Sequence, residues 1–243
     1  MNGFPGDAPI SLADQRTDQL GGRLSVLTRQ KADHVRLDEL LRDLDRTEPA
    51  DQDPVLREIY RLVFPHAFAE ESVLWPVLRR VLPDGRELTL QIEQEHQEVN
   101  ELVTALEGLD AHDARRAGVL DRLTEVLRED VRDEEDALLP RLQQRATPAQ
   151  LRLLGLAWEV VRRVAPTRAH PVVARRPPGN ALAALPLTVL DRARDRIDAV
   201  LQQGSSRAEP ALRWTSRGLT SLAHRVEELA PFRVGEDPST ARA

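Results

Sequence analysis

The sequence predicts an all-α protein built on an up-down four-helix bundle. Apolar residues recur at spacings of three and four along four long segments, the pattern of helices that bury one face. Aromatic residues make up only 3% of the chain, so Leu, Val and Ala must fill the core, as they do in helical bundles. A helical hairpin motif also occurs twice, and two such hairpins can bury their apolar faces against each other.

The first pair of long helices is predicted at 17–45 and 54–82. In the first helix, His34 and Leu41 fall on the same face as the other apolar residues. A polar loop follows, and Pro54 then stands in the first turn of the second helix, a position that proline favours.

The second pair of long helices is predicted at 86–109 and 114–145. A Pro-Asp-Gly turn at 83–85 separates it from the first pair. Thr147 precedes a proline and is expected to cap a shorter fifth helix at 148–164.

The rest of the chain is predicted to be less regular, with prolines concentrated after the fifth helix. The expected parts are a flexible tail (1–16), the bundle (17–164), a Pro-rich connector (165–185), a helical extension (186–232) with helices at 186–203 and 209–229, and a disordered tail (233–243). Neither a signal-peptide pattern nor an apolar stretch long enough for a membrane span is expected.

Charge and cysteine content exclude several classes of function. The net charge is -6, and acidic and basic residues are interspersed without a basic stripe, so a nucleic-acid partner is not expected. The chain has no cysteine, which excludes disulfides and thiolate-held metal clusters. This composition fits a reducing compartment, and we expect the protein to be cytoplasmic.

The repeated hairpin carries acids and histidines at matching positions. Its features are an acid before a histidine on the first helix, and two acids followed after four residues by proline on the second. In the sequence these are Asp33-His34 and Glu95-His96, then Glu70-Glu71 with Pro76 and Glu134-Glu135 with Pro140. Equivalent positions of two packed hairpins converge on one pseudo-symmetric point.

Six polar residues interrupt the apolar faces of these helices at one level. They are His34, His66, Glu70, His96, Asp130 and Glu134. A buried carboxylate without a partner costs several kcal/mol even after relaxation, and three together repel one another, so a cation among them is favoured. Imidazole with carboxylate and no thiolate suits iron or manganese. The sequence therefore predicts a metal centre with these six residues as ligands.

The alternative is a purely structural bundle in which the six polar residues pair with arginines or form ordinary core hydrogen bonds. Their coincidence on four helices favours the metal centre. The other histidines are not expected to bind metal: His112 and His224 are expected on the surface, and His170 as a structural residue of the connector.

Four further residues near the expected centre have more than one interpretation. Glu71 and Glu135 each follow a predicted ligand, so they support the ligands, face solvent or bind metal themselves. Tyr60 and Trp75 are interpreted as packing residues, with Tyr60 also a candidate for a hydrogen bond or redox protection near the centre.

The series His34, His66-x3-Glu70, His96 and acid-x3-Glu134 resembles the hemerythrin-like, HHE cation-binding family. The Glu-Glu dipeptide followed by Leu-Trp-Pro or Leu-Leu-Pro is also typical of that family, and the resemblance covers 17–164. It implies a non-haem centre of two iron ions, with manganese as the alternative, bridged by carboxylates and an oxo or hydroxo group. It also implies that these five residues are ligands.

Two positions depart from the family pattern. Asp130 stands where many members have histidine, and Asn100 stands where oxygen-carrying hemerythrins have another histidine. The expected site is therefore rich in carboxylates, and hard anionic ligands favour ferric over ferrous iron. This disfavours reversible oxygen carriage and favours redox reaction or sensing.

The expected function is that of a non-haem di-iron protein that reacts with or senses O2, peroxide or NO, in oxidative or nitrosative stress or in iron handling. If it is an enzyme, the resemblance implies catalase-like consumption of peroxide or another di-iron redox reaction. The alternative is a non-catalytic iron-binding or sensory module, with the C-terminal helices contacting a protein partner. A membrane is not expected as a partner.

Overall fold

The computed structural model describes residues 10–202, 208–235 and 237–240. Every regular element within them is helical, so the predicted all-α class is confirmed. The α-helices are α1 (Val26–Arg46), α2 (Gln52–Ala69), α3 (Trp75–Val81), α4 (Gly85–Glu107), α5 (Arg116–Asp133), α6 (Leu139–Arg145), α7 (Pro148–Arg163), α8 (Gly179–Gln202) and α9 (Glu209–Glu227). Short 3-10 turns occur at Leu12–Asp14, Pro49–Asp51 and Ala230–Arg233.

Four long rods form the bundle. Two of them are α1 and α4, and the other two are composite, because α2 continues into α3 and α5 into α6 through π-helical turns at Glu70–Leu74 and Glu134–Leu138. α1 packs against α2, and α4 packs against both α3 and α5. The fifth helix, α7, lies outside the bundle against α1 and α2.

A polar layer divides the apolar core of the bundle into two clusters. On α1, Leu27 belongs to one cluster and Leu37 to the other, and His34 lies between them. The same division recurs on the other three rods. The predicted alternation of apolar faces with one polar level is therefore present as a physical layer across the bundle.

The first helix begins later than the sequence pattern predicts. Its start at residue 17 was expected, but α1 begins at Val26, after Ser25, whose hydroxyl accepts a hydrogen bond from the Leu27 N–H. Gly21 and Gly22 have φ angles of 91° and 94°, in the left-handed region that ends a regular helix. The Ser25 cap and the two glycines therefore determine where α1 begins, although the apolar periodicity extends further toward the N-terminus.

The connector between the bundle and the C-terminal helices is shorter than expected, and most of its residues are buried. α8 begins at Gly179, so Pro186 lies inside a helix and the connector covers only 165–178. A Cβ on Gly179 would lie 2.6 Å from the carbonyl oxygen of Phe232. The segment after α9 therefore passes directly over the start of α8, and that close approach requires glycine.

Parts of the two chain ends also differ from the tails that the sequence predicts. Residues 10–16 lie on the bundle, where Leu12 is fully buried and Lys31 Nζ donates to the carbonyl oxygen of Gln15. In the expected disordered tail, residues 237–240 form a turn with a buried threonine. The expectations for residues 1–9, 203–207, 236 and 241–243 concern parts of the chain outside the described ranges.

None of the described helices is both long enough and apolar enough to cross a membrane.

Candidate metal centre

The six predicted ligands converge in the polar layer of the bundle. They come from four rods: His34 on α1, His66 on α2 with Glu70 at the first π-helical turn, His96 on α4, and Asp130 on α5 with Glu134 at the second π-helical turn. Each has an exposed fraction of 9% or less. Helix periodicity therefore placed all six side chains inside the bundle at one level.

Two groups of three side chains in this layer have the geometry of a cation site. One consists of His34, His66 and Glu134, and the other of Glu70, His96 and Glu134; within each group, one donor atom of every residue lies within 4.8 Å of the others. Glu134 belongs to both groups. The arrangement can therefore hold two adjacent cations that share one carboxylate.

The glutamates lie directly between the imidazole rings. Glu134 Oε2 is 3.2 Å from His34 Nε2. Glu70 Oε1 is 3.1 Å from His66 Nε2, and Glu70 Oε2 is 3.7 Å from His96 Nε2. Each oxygen of Glu70 thus faces a different histidine, which is the orientation that a bridging carboxylate needs.

Asp130 lies in the same layer but outside the two groups. Its Oδ1 is 3.5 Å from His96 Nε2, and this oxygen is buried without a hydrogen-bond donor among the described residues. Asp130 does not pair with the neighbouring Arg128, which pairs with Asp45; its ion-pair neighbour within the described chain is His96.

Each histidine also contacts a second carboxylate through its Nδ1 atom. The Nδ1–oxygen distances are 2.9 Å from His34 to Glu135, 3.1 Å from His66 to Asp33, and 2.9 Å from His96 to Glu71. Such pairs orient a metal-binding imidazole, because the Nδ1–H donates to the carboxylate and leaves Nε2 free to bind. All three Nε2 atoms accordingly face the polar layer.

These contacts decide between the interpretations of Glu71 and Glu135. Glu71 and Glu135 support histidines of the opposite hairpin. Asp33 supports His66 within the same hairpin, a role that the sequence pattern did not predict. A signal for Asp33 was present, because an acid precedes the histidine in both copies of the repeat, as Asp33-His34 and Glu95-His96.

The π-helical turns follow from the prolines that come after each Glu-Glu pair. Uninterrupted α-helices were expected through both regions, and that expectation was wrong. Pro76 has no N–H, and its ring would collide with the carbonyl four residues earlier in a regular helix. A wider turn relieves the conflict: the Trp75 N–H bonds to the Glu70 carbonyl, five residues back. The repeat around Pro140 behaves in the same way.

The carboxylates of the layer lack the partners that burial demands. Both side-chain oxygens of Glu70 and both of Glu134 are buried without a hydrogen-bond donor that meets standard geometry. Burial, reinforced by repulsion from Glu134, raises the pKa of Glu70. Burial also raises the pKa of Asp130 well above its ordinary value. Unsatisfied buried acids of this kind fit a cation-binding layer.

Without a bound cation, the neighbouring carboxylates favour the protonated, positively charged form of these histidines. Burial opposes protonation of His34, but the close carboxylate of Glu134 and the hydrogen bond to Glu135 raise its pKa to about 9. Burial also opposes protonation of His96, but the charge of Asp130 and the bond to Glu71 raise its pKa to about 10. A bound cation would displace these protons, since only the neutral ring can bind metal.

The other residues singled out in the sequence lie away from the ligand layer or line it. Trp75 stacks on His96 at a centroid distance of 6.3 Å. Tyr60 lies in the apolar cluster beyond the layer. His170 pairs with Asp191, while His112 and His224 are exposed as predicted.

Comparison with known proteins agrees with this geometry. Residues 25–142 match the model of the hemerythrin HHE cation binding domain. An uncharacterized hemerythrin-like protein of Schizosaccharomyces pombe is 26% identical over 134 residues, which are 55% of this chain and 66% of that protein, just under two thirds of its length. No solved structure gives a significant match to the chain. The layer of histidines and glutamates and the family match together identify residues 25–142 as a hemerythrin HHE cation-binding domain.

Proposed function

We propose that the polar layer holds two iron ions and that the protein reacts with or senses O2, peroxide or NO. The observation that carries this proposal is the pair of overlapping three-residue groups that share Glu134. Glu70 and Glu134 would bridge the two positions, and the three histidines would bind through Nε2. Asp130 would complete the set beside His96.

The donor set suits iron better than softer metals. It consists of carboxylate oxygens and imidazole nitrogens, and the chain has no cysteine. Hard anionic oxygen donors favour the ferric state, so we expect redox reaction or sensing rather than reversible oxygen carriage. Bound iron would supply the redox chemistry toward the small molecule, and manganese is the alternative metal.

A small apolar chamber beside the layer supports a small-molecule substrate. It has a volume of about 20 Å3 and is lined by Leu37, Val63, Leu127 and Val131 together with the ligand histidines. A space of this size holds one molecule comparable to water. A chamber of this size beside the ligands would admit a small molecule such as O2, NO or peroxide.

A direct experiment tests the proposal. The protein is purified with iron, its metal content is determined, and its near-ultraviolet spectrum and its consumption of peroxide are recorded. We expect about two iron ions per chain, as in helical di-iron proteins, with charge-transfer bands that are absent from the metal-free protein. A protein that takes up no metal, or holds one zinc ion elsewhere, contradicts the proposal.

The second candidate function is a non-catalytic iron-binding or sensory module. The observation that favours it is the packing of the connector around α4 close to His96, which would link the centre to α8 and α9. On this hypothesis the C-terminal helices bind a protein partner. Steady consumption of peroxide by the iron-loaded protein would exclude this candidate, whereas iron binding without turnover would support it.

A further inference from the structure

A cleft of about 330 Å3 lies where the bundle meets the C-terminal helices. On the bundle side it is lined by Tyr60 of α2 and Leu106 of α4. On the opposite side it is lined by Arg168 of the connector, Arg194 of α8 and Thr220 of α9. None of the six residues of the metal layer lines it. Small-molecule sites have volumes of about 300 to 1,000 Å3, so this separate cleft is large enough for a small organic molecule.

Arg194 is a buried side chain of this cleft whose charge has no close partner among the described residues. It is only 9% exposed, and its Nε is buried without a hydrogen-bond partner. The carboxylates of Glu107, Asp191 and Asp198 act on it only from beyond ion-pair distance. Burial and the neighbouring charge of Arg168 lower the pKa of Arg194 from its ordinary value. A guanidinium in this environment is costly unless an anion pairs with it.

The other two buried arginines of the cleft already have partners. Arg168 Nη2 donates to Asp198 Oδ2 at 2.6 Å. Arg116 Nη1 donates to Gln52 Oε1 at 2.7 Å. These hydrogen bonds hold both guanidinium groups in place. Among the buried arginines that line the cleft, Arg194 is therefore the one available to a ligand.

The remaining lining of the cleft indicates the chemistry of that ligand. Four arginines and three acids line it, so the charged side chains carry an excess of one positive charge. Leu56, Leu106 and Leu109 contribute apolar surface. A singly charged head group on an apolar body matches both features. A planar carboxylate fits the head group, because a guanidinium binds it through two parallel hydrogen bonds.

We propose that this cleft binds a small organic carboxylate, which pairs with Arg194 and packs its apolar body against the leucines. The carboxylate neutralises the buried charge of Arg194. The ligand contacts α2 and α4 of the bundle as well as α8, so its binding also stabilises the packing of the C-terminal helices on the bundle. This inference does not depend on the metal centre.

Calorimetric titration of the full chain with benzoate tests the proposal. We expect benzoate to bind at one site per chain and the neutral analogue benzamide not to bind. Arg194→Met should weaken benzoate binding by about tenfold to a hundredfold, because hydrogen bonds between two charged groups are lost. Arg194→Lys keeps the charge without the paired hydrogen bonds, so its affinity should be intermediate.

Two controls separate this site from other causes of a changed affinity. Arg213 also lies on a C-terminal helix, but its side chain is 61% exposed and pairs with Glu209, so Arg213→Met should bind benzoate as wild type does. Protein treated with a chelator should bind benzoate with the same affinity as untreated protein. Unliganded Arg194→Met should unfold at a temperature no lower than wild type, because removing a buried charge without a close partner costs no ion pair.

A second variant keeps the test decisive if Arg194→Met fails to fold. Leu109→Trp fills the cleft without changing its charge, and it should also abolish benzoate binding. Wild-type protein that does not bind benzoate at millimolar concentrations overturns the proposal, as does unchanged affinity in either variant. Loss of benzoate binding after chelation overturns it too, because the carboxylate would then bind at the metal layer. Tighter binding of phenyl phosphate than of benzoate would overturn the assignment of a carboxylate.

Discussion

Glu135 Oε1 lies 2.9 Å from His34 Nδ1 and so joins the fourth rod of the bundle to the first. The equivalent pair, Glu71 and His96, joins the second rod to the third at the same distance. Each hairpin therefore orients one metal-binding histidine of the other hairpin. The centre is complete only when both copies of the repeat are packed together, so metal binding and assembly of the bundle are expected to depend on each other.

The first prediction distinguishes the shared glutamate from the other one. Glu134 belongs to both three-residue groups, whereas Glu70 belongs to one. We expect Glu134→Gln to weaken the binding of both cations by more than roughly a hundredfold, beyond what loss of a supporting residue costs. Glu70→Gln leaves the group of His34, His66 and Glu134 complete, so it should weaken the binding of that cation less than the binding of the cation beside His96.

Metal content after desalting measures this difference. The exposed residues His112 and His224 offer matched controls, and substituting either by Ala should leave metal content unchanged. Equal and full metal content in the two glutamine variants would show that the carboxylates are not ligands.

The second prediction concerns Asp130, which takes the place of a histidine in the repeat. Its Oδ1 lies 3.5 Å from His96 Nε2, so it would bind the cation on the His96 side. Asp130→Ala should lose that cation, and Asp130→His should keep both. Because histidine is a neutral ligand, Asp130→His should also raise the reduction potential of the iron centre, which redox titration measures. Full iron content with an unchanged spectrum in the alanine variant would remove Asp130 from the ligand set.

The third prediction is a pH dependence of metal affinity. In the metal-free protein the pKa of His34 is about 9 and that of His96 about 10, so both rings carry protons near neutral pH. Metal must displace these protons, and affinity should therefore rise with pH, by about tenfold per pH unit for each proton released. Titrations with Co2+ at several values between about pH 6 and pH 8 test this, and an affinity independent of pH would contradict the buried protonated state.

The fourth prediction concerns His170, which anchors the connector outside the metal layer. Its Nε2 lies 3.1 Å from Asp191 Oδ2. Burial opposes protonation, but the hydrogen bond to Asp191 and the nearby carboxylate of Glu227 raise the pKa of His170 to about 9. A raised pKa stabilises the folded state fully below the unfolded value, about 6.5, and this stabilisation is lost as pH rises through the folded value.

The free energy of unfolding should accordingly fall between about pH 6.5 and pH 9, by an amount that depends on this one group. His170→Gln should be less stable than wild type at the acidic end and should lose part of this pH dependence. Urea unfolding of both proteins at saturating metal measures the difference. Identical slopes against pH in the two proteins would show that His170 is not protonated in the folded state.

The sequence was sufficient to predict the bundle and its polar layer, because both depend on local periodicity. A helix places residues three and four apart on one face, so His66 and Glu70 must point the same way, as must Asp130 and Glu134. The repeat then requires that the two hairpins bring these positions together. No knowledge of distances between helices was needed for that conclusion.

Local pattern was not sufficient at the chain's irregular points. The start of α1 depended on two glycines with positive φ, and the π-helical turns depended on the steric demands of Pro76 and Pro140. The burial of the connector depended on contacts with α4, which is far away in sequence. Each of these outcomes is settled by a local steric conflict or a distant partner that apolar periodicity does not record.

The sequence by itself determined which residues reach the centre: three histidines and three acids on four inward faces. Only the tertiary structure decided which outer acid supports which histidine, pairing Asp33 with His66, Glu71 with His96 and Glu135 with His34. It also decided that Arg175, which is far away in sequence, lies beside Glu71. The physical reason is that these pairings depend on the rotation and separation of packed helices, which are set by side-chain packing across the whole bundle.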